Sequence, residues 1–389
     1  MKVMLVAAEA SGDALGAGLA AALRAREPGI ALVGVGGPRM AEHGIASPFD
    51  IAELSVVGWL EGLRAYGRVK ARVVDTVAMA LRDRPDAVVL IDSWGFTIRV
   101  ARAIRTVLPD VRLIKYVGPQ VWASRPGRAK TLAAAVDHLL ALYAFDAPWF
   151  EAEGLPTTVV GSQALHIDMG GADPAAFRSA RGIAPDAPLL LILPGSRPGE
   201  IRLMTSIYEL AAARLKAGRP DLQIAVVAAG SVAADVTARV AAWPFRAHLV
   251  TEADKYAAMK AATVALATSG TVSTELALAG VPMVIGYRFA PVSYALMKPF
   301  FTGKYATLFN HAADAEIARE LIQAEATPDR FAAELSRLLD DPAARADQSA
   351  RQTVALDLMG REGRDPSEIA AETLYTLLRD APAGAGTGA

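Results

Sequence analysis

Cysteine is missing from this 389-residue chain. Its absence excludes disulfides, thiolate catalysis and Cys-ligated zinc. Histidine is scarce. The five residues, at 43, 138, 166, 248 and 311, include no two that are three to five apart, so no helical His pair for a metal exists and no metal is predicted. An excess of one charge is lacking too. Forty Lys plus Arg face 41 Asp plus Glu, for a net charge of −1. That balance argues against binding nucleic acid by bulk electrostatics. No uninterrupted apolar run reaches the roughly 18 residues of a membrane-spanning helix. The N-terminal run MKVMLVAA breaks at Glu9 and becomes a glycine turn, so it reads as a first strand and not as a signal peptide. These absences together predict a cytoplasmic protein.

What the chain does have is apolar mass. Its hydrophobic fraction is 53% and its mean hydropathy +0.28, which excludes disorder for the bulk of the molecule. Strands are predicted over residues 3–8, 30–35, 86–91, 113–117, 138–142 and 158–160, alternating with helices over 14–26, 62–82 and 96–107. A second alternating series has strands over 189–193, 223–228, 247–250, 264–267 and 282–286. Further helices are predicted over 314–324, 329–339, 344–356 and 367–378. Strand–helix alternation implies right-handed crossovers and parallel sheets. The expected fold is therefore α/β, with two doubly wound, Rossmann-like lobes over 1–167 and 189–342 and a Gly/Ala/Asp/Pro-rich linker over 168–188. C-terminal helices over 343–380 and a disordered tail over 381–389 complete it. In such folds ligands sit at the carboxyl ends of the strands.

Five segments carry candidate chemistry. SGTVSTE, 269–275, follows a predicted strand and opens a helix. Ser269, Gly270 and Thr271 would bring backbone N–H groups and the helix dipole to a diphosphate. Glu275 could accept hydrogens from both hydroxyls of a ribose. LPGSRPGE, 193–200, is a second strand–turn–helix in which Ser196 and the fork of Arg197 suit phosphate oxygens. AEASGD, 8–13, clusters Glu9, Ser11 and Asp13 at the end of the first strand. For Ser11 and Asp13 a plain helix-capping role is equally available, whereas Glu9 has no such role. YVGPQVWASRPGRAK, 116–130, brings Arg125, Arg128 and Lys130 to a turn, which suits a phosphorylated acceptor or a solvated helix start. The stretch 287–309 is apolar and aromatic with Arg288, Lys298 and Lys304 interspersed. It fits acyl chains or an anionic membrane surface if exposed, and a packed interior helix if not.

In order and spacing these segments resemble the lipid-A-disaccharide synthase family, inverting glycosyltransferases of GT-B architecture. The resemblance runs from residue 1 to about 378. It also includes VGVGGPRM (33–40), VVGWLEGL (56–63) and GVPMVIGYR (280–288). It implies transfer of a diacylated glucosamine from UDP-2,3-diacylglucosamine to lipid X at the cytoplasmic face of an anionic inner membrane, without metal or other cofactor; a homodimer is compatible with it. Carried over residue by residue, it points to Ser269, Gly270, Thr271, Glu275 and Arg197 for the uridine diphosphate. It points to Glu9 and Ser11 in the first lobe and to Asn310. With Arg125, Arg128 and Arg288, Ser11 and Asn310 make up the acceptor and lipid side.

Three departures bear on the acceptor half. The family's Ile-Asp-x-Pro-Asp-Phe is IDSWGF here, with Gly95 for the second Asp. Val-Gly-His-Pro is VGSQ, with Ser162 and Gln163. Tyr-Val-Ser-Pro-Ser-Val-Trp-Ala-Trp is YVGPQVWAS, with Gly118, Gln120 and Ser124. With Gly95 in place, the general base falls to Glu9 or Asp92, and Arg197 serves the leaving diphosphate. A divergent relative with an altered acceptor, or one that binds UDP-sugar or lipid without transfer, is the alternative. A nucleotide-sugar 2-epimerase would share this fold, but resembles the sequence only around SGTVSTE.

Overall fold

The computed structural model describes residues 1–54, 59–228, 230–361 and 363–379, the side chains of 59–66 excepted. The expected disordered tail and part of VVGWLEGL lie outside the described residues. The chain divides into two compact units, 1–162 with the residues after 361, and 163–361.

The first unit holds six parallel strands: β1 (Lys2–Ala7), β2 (Ala31–Val35), β3 (Ala87–Ile91), β4 (Arg112–Tyr116), β5 (His138–Ala141) and β6 (Thr157–Val159). Their order is β2-β1-β3-β4-β5-β6. All five residues of β3, AVVLI, are fully buried. A strand covered on both faces needs such a continuous apolar run, because helices pack on either side of a parallel sheet. Val88 and Leu90 enter the core of one face, and Val89 and Ile91 that of the other. The second face is closed by helix Ala10–Arg26 together with Pro366–Arg379, whose Ala370, Ala371 and Leu374 join the same core. Helix Pro366–Arg379 is thus part of the first unit, although it follows the whole of the second in sequence.

The second unit holds β7 (Leu189–Leu193), β8 (Gln223–Val227), β9 (His248–Val250), β10 (Val264–Thr268), β11 (Met283–Tyr287) and β12 (Arg319–Ile322). They are parallel in the order β12-β11-β10-β7-β8-β9. In both sheets the winding direction reverses once. The reversal lies between β1 and β3 in the first unit and between β7 and β10 in the second. The crevice outside the carboxyl ends at such a switch point is where doubly wound sheets bind ligands.

Two segments differ from expectation. The helix expected over 314–324 is instead the edge strand β12, paired with β11 from Val284–Arg319 to Tyr287–Ile322. Its Glu- and Ala-rich surroundings favour helix, and pairing to a buried neighbour overrides that weak local preference. The expected linker over 168–188 contains helix Pro174–Ala180, capped by Asp173, whose carboxylate accepts from the N–H groups of Ala175 and Ala176 at 2.9 and 3.0 Å. Phe177 is buried, Arg178 donates to the Ala261 carbonyl at 2.6 Å, and Arg181 pairs with Asp254 at 2.7 Å. These ties make the segment a part of the second unit.

Candidate active site

The second unit's switch point is bounded by the turns after β7 and β10. Thr268 joins them from below, its hydroxyl donating to the Pro194 carbonyl at 2.9 Å and lying 3.1 Å from the Tyr208 hydroxyl. Gly195 has φ 127°, and a Cβ there would meet the Glu200 carboxylate at 2.6 Å, so only glycine fits this turn. Glu200 is buried and accepts from the N–H groups of Ser196 and Arg197 at 2.9 and 3.3 Å. The Ser196 N–H thus holds its own turn, leaving the Ser196 side chain for a ligand. The Arg197 guanidinium also touches Glu200, at 3.1 Å, yet its side chain is 77% exposed and can swing to an anion.

After β10, Gly270 precedes helix Thr271–Leu278, and the place a Cβ would occupy is open space. Ser269 is more engaged than expected: its hydroxyl donates to the Ala306 carbonyl at 3.1 Å and its N–H to the Gly286 carbonyl at 3.0 Å. Gly195, Arg197, Gly270, Thr271 and Glu275 line one recess of about 430 Å³. Ser196 and Ser269 line it too, and sequence reading missed a further charged lining residue, Lys255. Its ammonium lies 3.1 Å from Glu275 Oε2 and 2.9 Å from Glu252, and the Lys255 and Glu275 side chains are each 13% exposed. Burial works against the Lys255 charge, but these carboxylates outweigh it and hold its pKa above the usual lysine value. An acidic-looking pocket wall is thereby locally neutralised. A helix start, an arginine and an oriented carboxylate around one recess are what a nucleoside diphosphate requires.

At the first unit's switch point the side chains are acidic. Glu9 follows β1, is exposed and makes no capping hydrogen bond. Asp92 follows β3, and its Oδ2 accepts from the Ser11 hydroxyl at 2.9 Å. Ser11, expected at the acceptor, therefore orients Asp92. Asp13, the remaining carboxylate of AEASGD, is buried and accepts three N–H bonds, from Gly37 at 2.7 Å and from Arg39 and Met40 at 3.0 Å. It fastens the turn after β2 and is not a base.

The departures from the family pattern also have physical settings. Gly95 lies in the first turn of helix Trp94–Val107 and is exposed; a methyl group added there would have only Arg99 nearby, at 3.9 Å. Trp94 carries the Arg128 guanidinium over its ring at 5.4 Å. Arg125 is exposed nearby in sequence, with φ 52°. Gly118 stands where a Cβ would meet the Phe150 ring at 2.8 Å. Ser162 is buried and hydrogen-bonded to Tyr143. Asp146 was also missed: Trp122 Nε1 donates to it at 2.9 Å, and burial pushes its pKa up to about 6.

Two residues expected on the lipid side are otherwise engaged. Asn310 is fully buried. Its amide donates to the Ala318 carbonyl and to Glu320, both at 2.8 Å, and its carbonyl accepts from Ile317 and Ala318. A side chain so saturated cannot bind an acceptor; it anchors the loop before β12. Arg288 is half-buried and donates to the Gln323 carbonyl at 3.2 Å. The stretch after it is open. No residue of helix Pro291–Met297 is buried; Val292 and Leu296 are 74% and 61% exposed, and Phe300, Phe301, Lys298 and Lys304 are exposed as well. Among the described residues no helix is long and apolar enough to cross a membrane.

Two doubly wound parallel sheets with a nucleotide-type recess at one switch point define a two-lobed α/β glycosyltransferase architecture. Solved structures share this fold. The Staphylococcus aureus MnaA–UDP complex matches with a TM-score of 0.65 at 14% identity, covering 97% of each chain. The UDP-GlcNAc 2-epimerase of Neisseria meningitidis bound to UDP-GlcNAc matches with a TM-score of 0.59 at 13% identity, covering 98% of this chain and 100% of that one. The likeness to epimerases thus extends across the whole fold, at an identity that speaks for the fold alone. Sequence relatives decide the family. The lipid-A-disaccharide synthase of Rhodospirillum centenum is 43% identical over 97% of this chain and 94% of its own. That of Paramagnetospirillum magneticum is 40% identical over 97% and 98%. Residues 3–374 match the lipid-A-disaccharide synthetase family, and the chain belongs to it. It is a glycosyltransferase of lipid A biosynthesis.

Proposed function

We propose that the chain transfers the 2,3-diacylglucosaminyl group of UDP-2,3-diacylglucosamine to the 6-hydroxyl of lipid X, 2,3-diacylglucosamine 1-phosphate. The products are the β-1,6-linked lipid A disaccharide 1-phosphate and UDP. The observation that carries this reading is the recess between β7 and β10, where Gly270, Arg197 and Glu275 converge in a chain of this family. Glu275 accepts hydrogens from the ribose hydroxyls, its other oxygen being held by Lys255. The start of helix Thr271–Leu278 and Arg197 stabilise the diphosphate as it departs with the electron pair of its bond to the anomeric carbon.

The first unit supplies the acceptor half. Asp92, oriented by Ser11, takes the proton of the acceptor hydroxyl as its oxygen attacks the anomeric carbon from the face opposite UDP, and Glu9 contributes a second carboxylate beside it. Arg125 and Arg128 bind the acceptor 1-phosphate. The exposed apolar and cationic segment 291–305 rests on an anionic membrane surface, from which both lipid substrates come. Purified protein incubated with UDP-2,3-diacylglucosamine and lipid X tests the reading: a disaccharide monophosphate by mass and one UDP per disaccharide are expected. Epimerised donor, or UDP release that does not require lipid X, would overturn it.

A further inference from the structure

Beneath the first unit's carboxyl edge lies a charge to which the reaction above gives no role. Lys115, in the middle of the sheet on β4, is only 2% exposed. Its ammonium donates to the Asp92 carbonyl and, at 3.0 Å, to the Thr97 hydroxyl. Thr97 in turn donates to the Asp92 and Ser93 carbonyls at 2.9 and 3.0 Å. The turn that these two side chains grip is strained. Asp92 and Ser93 have φ of 50° and 37°, two successive non-glycine residues in the left-handed region. Such strain persists only where the surroundings over-determine it.

A buried lysine is costly filler. Methionine or leucine would occupy the same space without desolvating a cation. The charges acting on Lys115 are the Asp92 carboxylate at the end of β3 and the Glu9 carboxylate at the end of β1; Thr97, from helix Trp94–Val107, is neutral. Burial outweighs the upward pull of the two carboxylates and leaves the ammonium pKa lowered to about 7. The turn is closed from the other strand as well, the Asp92 N–H donating to the Tyr116 carbonyl at 2.9 Å. The Asp92 backbone is thus held from below and its carboxylate from the side, by Ser11, at the end of β3.

We infer that Lys115 is a positioning residue for glycosyl transfer: with Thr97 it fixes the strained Asp92–Ser93 turn, and it supplies the buried positive charge that the Asp92 and Glu9 carboxylates face. The inference rests on the reading that Asp92 accepts the proton. Lys115→Met removes charge and grip together; Thr97→Val removes grip alone. Lys115→Met lowers kcat by roughly 10²-fold. KM for the UDP-sugar stays within about twofold of wild type, so the loss falls on kcat alone. Thr97→Val lowers kcat by less, again with KM unchanged. Calorimetric UDP affinity, which belongs to the second unit, reports whether each variant is folded there. Wild-type kcat in Lys115→Met, or a loss that falls on the UDP-sugar KM instead, beside an impaired Asp92→Asn, overturns the role of Lys115. Wild-type turnover in Asp92→Asn overturns the assignment of the base instead. Should Lys115→Met not fold, Thr97→Val decides, and wild-type turnover in that variant overturns the inference.

Discussion

The two switch points are built on the same sheet plan and finished in opposite ways. In the second unit the exits of β7 and β10 are opened by Gly195 and Gly270, and the groups around the recess are a helix start, an exposed arginine and a carboxylate clamped by a lysine. In the first unit the exits of β3 and β4 carry Asp92, Ser93 and Val117 at positive φ with no glycine among them. A site that binds through its backbone can give up side chains, so glycine takes the strained position at 195, with φ 127°, and leaves open space at 270. A site that needs a carboxylate at a strained position must keep aspartate there and hold it from outside, which Lys115 and Thr97 do. In the proposed reaction this difference separates anion binding in one unit from proton transfer in the other.

That comparison can be broken in stages. Asp92→Asn keeps the shape of the first edge and removes its proton acceptor, so kcat falls about 10² to 10⁴-fold while the UDP-sugar KM holds, as initial-rate kinetics at saturating lipid X will show. Glu275→Ala acts on the other edge. Loss of charge-assisted bonds to ribose weakens UDP binding by about 2 to 4 kcal/mol in calorimetry, with the melting temperature little changed. Phe300→Ser with Phe301→Ser reduces association with anionic liposomes by roughly tenfold through lost apolar burial. Both rings are exposed, so sedimentation changes while thermal stability does not; the reverse pattern would mark the segment as core. The smallest effect concerns Asp146. Its folded-state pKa is raised, so the stability it contributes is present below the unfolded value and is lost as pH rises through about 6. Asp146→Asn mimics the protonated acid and stabilises by on the order of 1 kcal/mol at pH 7, an advantage that thermal melts show disappearing near pH 4.

The architecture was readable because parallel strands buried on both faces are continuous apolar runs, and short runs such as LLLIL in β7 and AVVLI in β3 alternate with amphipathic helical segments. β12 was not readable: RELI sits among helix formers, and only its pairing with β11 makes it a strand. At the site, glycine turns and Glu275 announced themselves through local spacing. Lys255 and Lys115 did not, because each acquires its role from a carboxylate distant in sequence, Glu275 for one and Asp92 with Glu9 for the other. Asn310 misled for the converse reason. It was a candidate for acceptor contact in a conspicuous segment, yet its hydrogen bonds are taken up by the Ile317 and Ala318 backbone and by Glu320.

The division of labour between the two edges is tested most directly by one calorimetric measurement, the titration of UDP into Asp92→Asn and into Glu275→Ala under identical conditions. Asp92→Asn is expected to bind UDP as the unaltered chain does, and Glu275→Ala to bind it far more weakly. Equal loss in both variants, or loss in Asp92→Asn alone, would contradict the assignment of the nucleotide to the second unit and of proton transfer to the first.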